Sequence, residues 1–365
     1  MRLPVALLHQ ASSKPAGQPY WLPWPSDEAS KGAELGVADN NTTGQFTGQH
    51  YQLQVFTAAT DEQLLQQFAQ HVAGQYSVLL LDVSANVLRT VKNQLKSKPM
   101  LVFDVRSQQN ALRKANCDAR ILYMQPSYAM QADTLGQFLL KKSWRRWLLI
   151  QGSSSEDVLY ANALKRMAKR FGMTIVAEKT WQHAPEIRRT AQAVMPGFTQ
   201  TDDDYDVIVV ADTENAFGDY VAYRSWSPRP VVGTHGLVPT GWHFTHESWG
   251  AVQLQNRFKD FSGRVMTPVD YAAYLAVRAV GEAATRTQTF QVKTLRDYLL
   301  SEDFALQGYK GRRLSFRPWS GQLRQPVLLA TARGIVDVAP LDGFLHPATE
   351  LDTLGLSVSE TECNK

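Results

Sequence analysis

Short, continuous apolar runs alternate with segments of helical spacing along most of the chain. The runs at Val78–Asp82 and Val207–Ala211 lack the alternation of apolar and polar residues that marks a half-exposed strand. Such runs are typical of parallel strands that are covered by helices on both faces. Helical patterns follow the strands, as at Glu156–Phe171, where Ala, Leu and Met fall on one face. This order predicts an α/β chain with right-handed crossovers and doubly wound, Rossmann-like sheets.

The segment from Ile121 to Gly152 is where we expect the chain to leave a first lobe and to begin a second. Ile121–Met124 is a short apolar run that ends before Pro126, and Ser127 is a suitable N-cap for the helix that follows. A second buried strand is predicted at Trp147–Ile150. A chain of 365 residues is also long for a single core, which favours two lobes.

Three hinge crossovers are expected to join the two lobes. The lobes are predicted to comprise residues 1–125 with 237–326 (lobe one) and residues 126–236 with 327–365 (lobe two). The chain then crosses near Pro126, near Gly236 and near Pro326. We expect the ligand site between the lobes, beside the first of these crossovers.

Three further elements have local sequence signals. A helix is predicted from Ser26 to about Asp39, with a turn over Asn40–Gly48. Thr267 and Pro268 are a suitable N-cap and first residue for a long helix. Pro326–Val338 is predicted to form a hairpin, because Arg333-Gly334 suits its turn.

Charge and motifs argue against several classes of function. The net charge of +4 is spread along the chain without a basic arm, which disfavours nucleic acid but is compatible with an anionic small ligand. No run approaches the roughly 20 apolar residues of a membrane span. There is no phosphate-binding glycine loop and no GxSxG motif, so we predict no enzymatic activity. His243 and His246 have spacing that would suit a metal, but no further ligand is evident and no metal is predicted.

The cysteines and the N-terminus leave the compartment open. Cys117 and Cys363 are far apart, and they are either two free thiols or one disulfide in an oxidising compartment. Leu3–Leu8 has the length of a strand and is too short for the apolar region of a signal peptide. The chain is therefore either cytoplasmic or a mature chain from which a leader has been removed.

Several stretches resemble the type I periplasmic solute-binding proteins of ABC transporters, the group that includes branched-chain amino-acid and amide binders. The similarity spans nearly the whole chain, and DEASKGAELGVADNNTTG and PSYAMQADTLGQFLLKKSWRRWLLI carry it. Four longer strings resemble the binding proteins associated with PQQ-dependent alcohol dehydrogenase systems: WGAVQLQNRF, TPVDYAAYLAVRAVGEA, KGRRLSFRPWSGQLRQPVLL and DGFLHPATELDTLG.

This resemblance implies a periplasmic protein that is not an enzyme, and its leader is interpreted as removed. The implied ligand is pyrroloquinoline quinone (PQQ), and the implied partner is a membrane permease. We expect a monomer with no catalytic cofactor, and in the oxidising periplasm we expect Cys117 and Cys363 to form a disulfide. The alternatives are an amino-acid or amide binder and, from another class, a cytoplasmic α/β enzyme or sensor.

PQQ is a flat tricyclic quinone with three carboxylates, so its site needs aromatic faces together with cationic or N–H donors. Ligands of open α/β sheets bind at the carboxyl ends of the strands. That rule selects these candidate ligand-binding residues: Tyr20, Trp21, Trp24, Ser84, Arg106, Lys114, Ser127, Tyr128, Thr213 and His235.

Each type of candidate has a chemical role and a structural alternative. The aromatic residues of the first loop would stack on the ligand, or they would cover the edge of the sheet. Arg106 offers a planar fork for a carboxylate, or it is a solvated surface residue. Ser127 and Tyr128 begin a helix whose N-terminus could hold an anion. His235 is equally compatible with ligand contact and with a purely structural role.

Overall fold

The computed structural model describes residues 1–11, 14, 24–95, 99–117, 119–182 and 187–362. It shows two α/β lobes, each built on a parallel sheet. Within the described residues, no helix has the length and apolar character that a membrane span requires.

Lobe one contains a five-stranded parallel sheet with the strand order β2-β1-β3-β4-β5. Its strands are β1 (Arg2–Gln10), β2 (His50–Ala58), β3 (Val78–Asp82), β4 (Leu101–Asp104) and β5 (Ile121–Tyr123). Its helices in this part of the chain are α1 (Ser30–Thr47), α2 (Asp61–Gln67), which continues as a π-helical turn over Phe68–Val72, α3 (Ala85–Gln94) and α4 (Asn110–Lys114).

Lobe two contains a four-stranded parallel sheet with the order β7-β6-β8-β9. Its elements are α5 (Tyr128–Lys141), β6 (Arg146–Gln151), α6 (Ser155–Phe171), β7 (Thr174–Thr180), α7 (Ile187–Phe198), β8 (Val207–Ala211), α8 (Gly218–Arg224) and β9 (Val231–Gly233).

The remaining elements complete the lobes and the hinge. They are β10 (Val238–Thr240), α9 (Ala251–Ser262), α10 (Pro268–Thr287), α11 (Val292–Leu299), β11 (Leu306–Gln307), β12 (Arg313–Phe316), β13 (Leu323–Arg324), β14 (Val327–Thr331) and β15 (Gly334–Ala339). Strands β10, β14 and β15 form an antiparallel sheet, and helices α9, α10 and α11 contribute to the core of lobe one.

Both sheets are covered on both faces, as the continuous apolar runs predict. In β3, Leu80 belongs to the core beneath α1 and α10, whereas Leu79 and Leu81 belong to the core beneath α2 and α3. In lobe two, Leu149 packs with α5 and α6, and Leu148 packs with α7 and α8. Because successive residues of a strand point to opposite faces, each strand needs apolar residues at every position. The predicted doubly wound fold is confirmed.

The chain passes between the lobes at three places. These lie between β5 and α5, between β9 and α9, and between β13 and β14. The exact lobe limits at residues 125, 237 and 326 remain predictions. The hairpin predicted at Pro326–Val338 is present as β14 and β15, and Thr267 caps α10 by accepting the backbone N–H of Asp270.

The predicted turn over Asn40–Gly48 is wrong, because α1 continues to Thr47. The polar run in this region is part of a helix that packs on α10. The Asn40 side chain is buried and donates a hydrogen bond of 2.8 Å to the Val277 carbonyl. A tertiary partner therefore stabilises helical structure in residues whose local preference is for turns.

A C-terminal segment, residues 349–361, lies against both the β12–β13 region and lobe two. Asp352 accepts hydrogen bonds from Arg317 (2.7 Å) and Arg324 (2.9 Å). The Gly355 N–H donates to Asp133 on α5, at 2.8 Å. Cys117 is disulfide-bonded, and Cys363, the other cysteine of the sequence, lies outside the described residues.

Candidate functional site

A cavity of about 580 Å³ lies between the two lobes. It is open at the carboxyl ends of the parallel strands of both sheets, where α/β folds bind their ligands. The lobe-one wall is formed by residues 83–85, 106–109 and 125, and the lobe-two wall by residues 128, 131, 156, 212–215 and 233–234. Residues 238–240 and 268–269 complete the lining.

Four helix N-termini are directed at this cavity. Ser84, Tyr128, Glu156 and Pro268 line it, and they lie at the starts of α3, α5, α6 and α10. The first N–H groups of a helix lack partners within the helix and carry a partial positive charge. This arrangement favours a ligand that carries negative charge or hydrogen-bond acceptors.

Arg106 lies on the lobe-one wall and is held there by carboxylates. Its Nε donates to Asp82, and its Nη2 donates to Glu28 at 3.1 Å. His9 Nδ1 lies 2.7 Å from the other Asp82 oxygen, and this hydrogen bond raises the pKa of His9. Burial raises the pKa of Glu28, although Arg106 opposes the effect. Arg106 is therefore oriented by its partners, with about a third of its side chain exposed toward the cleft.

A chain of hydrogen bonds joins the two walls of the cleft. Gln109 of lobe one donates to Glu156 of lobe two at 2.5 Å, and the Tyr128 hydroxyl donates to the other Glu156 oxygen at 2.6 Å. Arg89 donates to Gln109 at 2.9 Å. Close by, the Tyr128 N–H donates to the Gln108 carbonyl at 2.8 Å. The lobes are therefore in direct polar contact beside the first crossover.

Two buried carboxylates shape the lobe-two wall. Asp212, directly after β8, accepts the backbone N–H groups of Ala216, Phe217 and Gly218 at 2.7–2.9 Å. Asp157 accepts both the N–H and the hydroxyl of Thr213, at 2.6 and 2.7 Å. Both carboxylates are fully buried, so they fix the loops and do not face the ligand.

Four of the predicted site residues come together at the cavity: Ser84, Arg106, Tyr128 and Thr213. Of the aromatic loop, Tyr20 and Trp21 lie outside the described residues. Trp24 is described and about a third exposed, but it does not line the cavity. Whether any of these residues binds a ligand stays a prediction.

The other three candidates do not line the cavity. Ser127 is buried and uses its hydroxyl to cap α5, where it accepts the Met130 N–H. Lys114 is exposed in the last turn of α4. His235 is buried and packs so closely on Gly218 that a Cβ there would meet its ring at 2.1 Å. For His235 the structural alternative fits this packing.

Several lining residues were not identified from the sequence. Gln109 and Glu156 form the contact between the lobes, and Gln125, Gln131 and Asn215 add amide groups to the lining. Glu156 carried one signal, since it lies in the first turn of a helix that follows a lobe-two strand. The glutamines carried none, because an amide side chain is common on any polar surface.

Asp104, the last residue of β4, lies behind the lobe-one wall. One of its oxygens accepts the N–H groups of Arg106 (3.2 Å) and Ser107 (3.1 Å). The other oxygen is buried and has no hydrogen-bond partner. Burial raises the pKa of Asp104 to about 6, although Arg113 and the two N–H groups lower it.

Metal ligation has no clear centre in the part of the chain that the structure describes. No group of three or more His, Cys, Asp or Glu residues there is arranged to hold an ion. His246 is buried, and its Nε2 lies 2.8 Å from the Tyr309 carbonyl oxygen.

Comparison with known proteins agrees with this architecture. A family model described as periplasmic binding protein matches residues 25–194. No curated protein matches the chain.

Solved structures match almost the whole chain at low identity. A leucine-, isoleucine-, valine-, threonine- and alanine-binding protein from Brucella ovis, in a closed conformation, is 15% identical with a TM-score of 0.72, over 90% of this chain and 89% of that one. A branched-chain amino-acid ABC transporter periplasmic ligand-binding protein from Burkholderia xenovorans LB400 is 15% identical with a TM-score of 0.74, over 92% and 95%.

A third similar structure is an ABC transporter solute-binding protein from Rhodopseudomonas palustris BisB5 in complex with 3,4-dihydroxybenzoic acid. It is 13% identical with a TM-score of 0.65, over 90% of this chain and 93% of that one. The chain therefore has the two-lobed α/β fold of the type I periplasmic binding proteins.

Proposed function

We propose that the chain is the solute-binding component of an ABC transporter and captures a small solute between its lobes. The observation that carries the proposal is the cavity of about 580 Å³ whose walls come from both lobes. Its size falls within the range of roughly 300–1,000 Å³ that is typical of small-molecule sites. A solute that contacts both walls stabilises the closed arrangement, which a permease can then recognise.

This function implies a periplasmic location, a membrane permease as partner and no catalysis. The family match over residues 25–194 and the ABC-transporter names of the similar structures support these points. A monomer is sufficient for the proposed mechanism, because both walls of the cavity belong to one chain.

PQQ is our proposed ligand, and the resemblance of four sequence strings to PQQ-associated binding proteins is its main support. The chemistry of the cleft adds to it. Four helix N-termini and Arg106 supply donors for carboxylates, and the ring of Tyr128 lines the cavity. Arg106 is the one cation among the described lining residues, so backbone and amide donors would bind most of the three carboxylates.

An amino acid is the second candidate. The Brucella ovis and Burkholderia xenovorans proteins are named for amino-acid ligands, and they cover about nine-tenths of this chain. In this case the helix N-termini would hold the α-carboxylate, and the carboxylate of Glu214, which lines the cavity, would attract the ammonium group.

Calorimetric titration of the apo protein tests both candidates. PQQ, leucine, valine and an amide are titrated separately at low and high salt. PQQ binding should also quench tryptophan fluorescence, whereas amino acids do not absorb visible light. Saturable binding of an amino acid without any response to PQQ would overturn the proposed ligand and retain the proposed function. No response to any member of the panel would count against a solute-binding cleft of this type.

Variants of Arg106 locate the site. Arg106→Lys keeps the charge but loses the planar fork, so PQQ affinity should fall by about 1–2 kcal/mol, since charge-assisted hydrogen bonds contribute about 1.5–3 kcal/mol. The loss should be smaller at high salt, because the side chain is partly exposed. Trp21→Ala and Trp24→Ala test the predicted aromatic stacking. Asp219→Ala, an exposed change outside this cavity, is the control. Parent-like affinity in all three site variants would refute this site assignment.

A further inference from the structure

One buried lysine lies where the crossovers between the lobes meet. Lys310 is 3% exposed, and its Nζ donates three hydrogen bonds. The acceptors are the carbonyl oxygens of Gly241 and Pro326, both at 2.8 Å, and Oε1 of Gln325 at 2.7 Å. An ammonium group has three N–H donors, so each of them has an acceptor.

These acceptors belong to different crossovers. Gly241 follows β10 in the second crossover, whereas Gln325 and Pro326 form the third, between β13 and β14. The first crossover is joined through the same pair, because Gln325 Nε2 donates to the Met124 carbonyl at 2.6 Å. Lys310 and Gln325, which we call the hinge hub, therefore connect the backbones of all three crossovers.

The surroundings of the hinge hub are mainly aromatic. The Lys310 ammonium lies 4.9 Å from the centre of the Tyr271 ring, and Trp242 stacks on that ring at 4.3 Å. Among the described residues, no carboxylate forms an ion pair with Lys310. Burial lowers the pKa of Lys310 well below its ordinary value.

A buried ammonium without an ionic partner is costly for stability. An apolar side chain of similar length would pack as well against Tyr271 and Trp242, so packing does not account for lysine. The property that only a cationic, three-donor group supplies here is simultaneous binding of oxygens from separate strands. The hinge hub is also separate from the ligand site, since neither Lys310 nor Gln325 lines the cavity between the lobes.

We propose that Lys310 is a positioning residue of the hinge, which with Gln325 holds the three crossovers in the register of the closed arrangement. Each lobe keeps its own core without this residue, but the angle between the lobes becomes less restricted. The part of the inference that concerns ligand affinity rests on the proposed function. The part that concerns lobe geometry does not.

The test compares two hub variants with a matched control in the absence of ligand. Lys310→Met and Gln325→Leu remove hub hydrogen bonds with little change in volume. Tyr271→Phe removes a buried hydrogen bond to the Gly308 carbonyl in the same aromatic cluster, but Gly308 belongs to no crossover. Small-angle scattering measures the separation of the lobes in each protein.

Hydrogen exchange gives a local readout in the same samples. The Tyr128 N–H donates across the lobes to the Gln108 carbonyl, whereas the Val105 N–H donates within lobe one to the Leu81 carbonyl. In both hub variants the Tyr128 amide should exchange roughly tenfold faster or more, equivalent to about 1.4 kcal/mol of easier opening. The Val105 amide should keep the parent rate, and Tyr271→Phe should change neither ratio.

Affinity is then measured with PQQ as the probe. If about a tenth of a hub variant holds the closed arrangement, its apparent affinity should be about tenfold weaker. Failure of the parent to bind PQQ would affect the proposed ligand only, because scattering and exchange need no ligand. Parent-like scattering and Tyr128 exchange in both hub variants would overturn the hinge proposal. Loss of folding in both, with Tyr271→Phe folded, would overturn it too, because the hub would then support the lobe cores.

Discussion

Asp104 of lobe one and Asp212 of lobe two are found in equivalent places, and only one of them is fully hydrogen-bonded. Each is fully buried at the carboxyl end of a central strand, and each accepts backbone N–H groups of the loop that follows. Asp212 uses both oxygens to bind three N–H groups. Asp104 binds two N–H groups with one oxygen, and its other oxygen has no partner.

The difference shows that the number of donors decides what a buried carboxylate contributes. A carboxylate whose oxygens are all bound can offset the cost of its own desolvation, whereas an unpaired oxygen adds to that cost. The lobe-two wall is therefore rigidly built. The lobe-one wall carries a group that is more easily protonated, next to the cleft residues Arg106 and Ser107.

The largest effect is expected for Asp212→Ala. This change leaves three backbone N–H groups without an acceptor, two of them at the buried start of α8. We expect the free energy of unfolding to fall by about 3–5 kcal/mol, as when one partner of a buried charged network is removed. Urea unfolding measures the change, with Asp219→Ala on the exposed side of α8 as the control. A loss no larger than that of the control would contradict the comparison.

A change of opposite sign is expected for Asp104→Asn. Because burial raises the pKa of Asp104 to about 6, the folded protein holds this proton more tightly than the unfolded chain. The contribution of Asp104 to stability is therefore most favourable below about pH 4 and declines as pH rises through about 6. At pH 7 the variant should be more stable by about 1–3 kcal/mol, the usual cost of an unsatisfied buried group.

The pH dependence provides the control for Asp104→Asn. Unfolding is measured for parent and variant between pH 4 and 8, and the advantage of the variant should disappear at the acidic end. A variant that is less stable than the parent at pH 7 would show that the unpaired oxygen carries no cost.

The smallest effect is expected for Thr213→Val on the lobe-two wall. Asp157 accepts both the hydroxyl and the backbone N–H of Thr213, and valine removes only the hydroxyl. We expect a loss of about 1 kcal/mol in the free energy of unfolding, the typical contribution of one hydrogen bond. Thermal unfolding of this variant beside Asp157→Ala, which removes both bonds, separates the two contributions. Equal losses in the two variants would mean that the backbone bond contributes nothing.

The fold could be predicted from the sequence largely because its signals are local. A run such as Val207–Ala211 shows its two buried faces without reference to the rest of the chain. The extension of α1 could not be predicted, because the Val277 carbonyl that binds Asn40 lies 237 residues away. Tertiary contacts of this kind override the local preference of the residue.

The site was predictable only as far as strand ends determine it. Ser84, Arg106 and Thr213 follow strands, and the structure brings them to one cavity. Gln109 and Glu156 depend on how two lobes approach each other, which no local pattern encodes. The burial of Lys310 is equally hidden, because its acceptors lie 69, 15 and 16 residues away and its own stretch of sequence is polar.

The C-terminal segment has a consequence for the order in which the molecule is assembled. Arg317 is buried with Asp352 as its carboxylate partner, and the carboxylate of Asp133 is completed by the Gly355 N–H. Ribosomal synthesis proceeds toward the C-terminus, so Arg317 and Asp133 emerge before residues 350–355 do. A nascent chain without those residues would have to bury an unpaired guanidinium, which is strongly unfavourable. The hinge side of the molecule is thus completed late, after both sheets have been translated, which keeps the growing chain in a state suited to passage through a translocation channel.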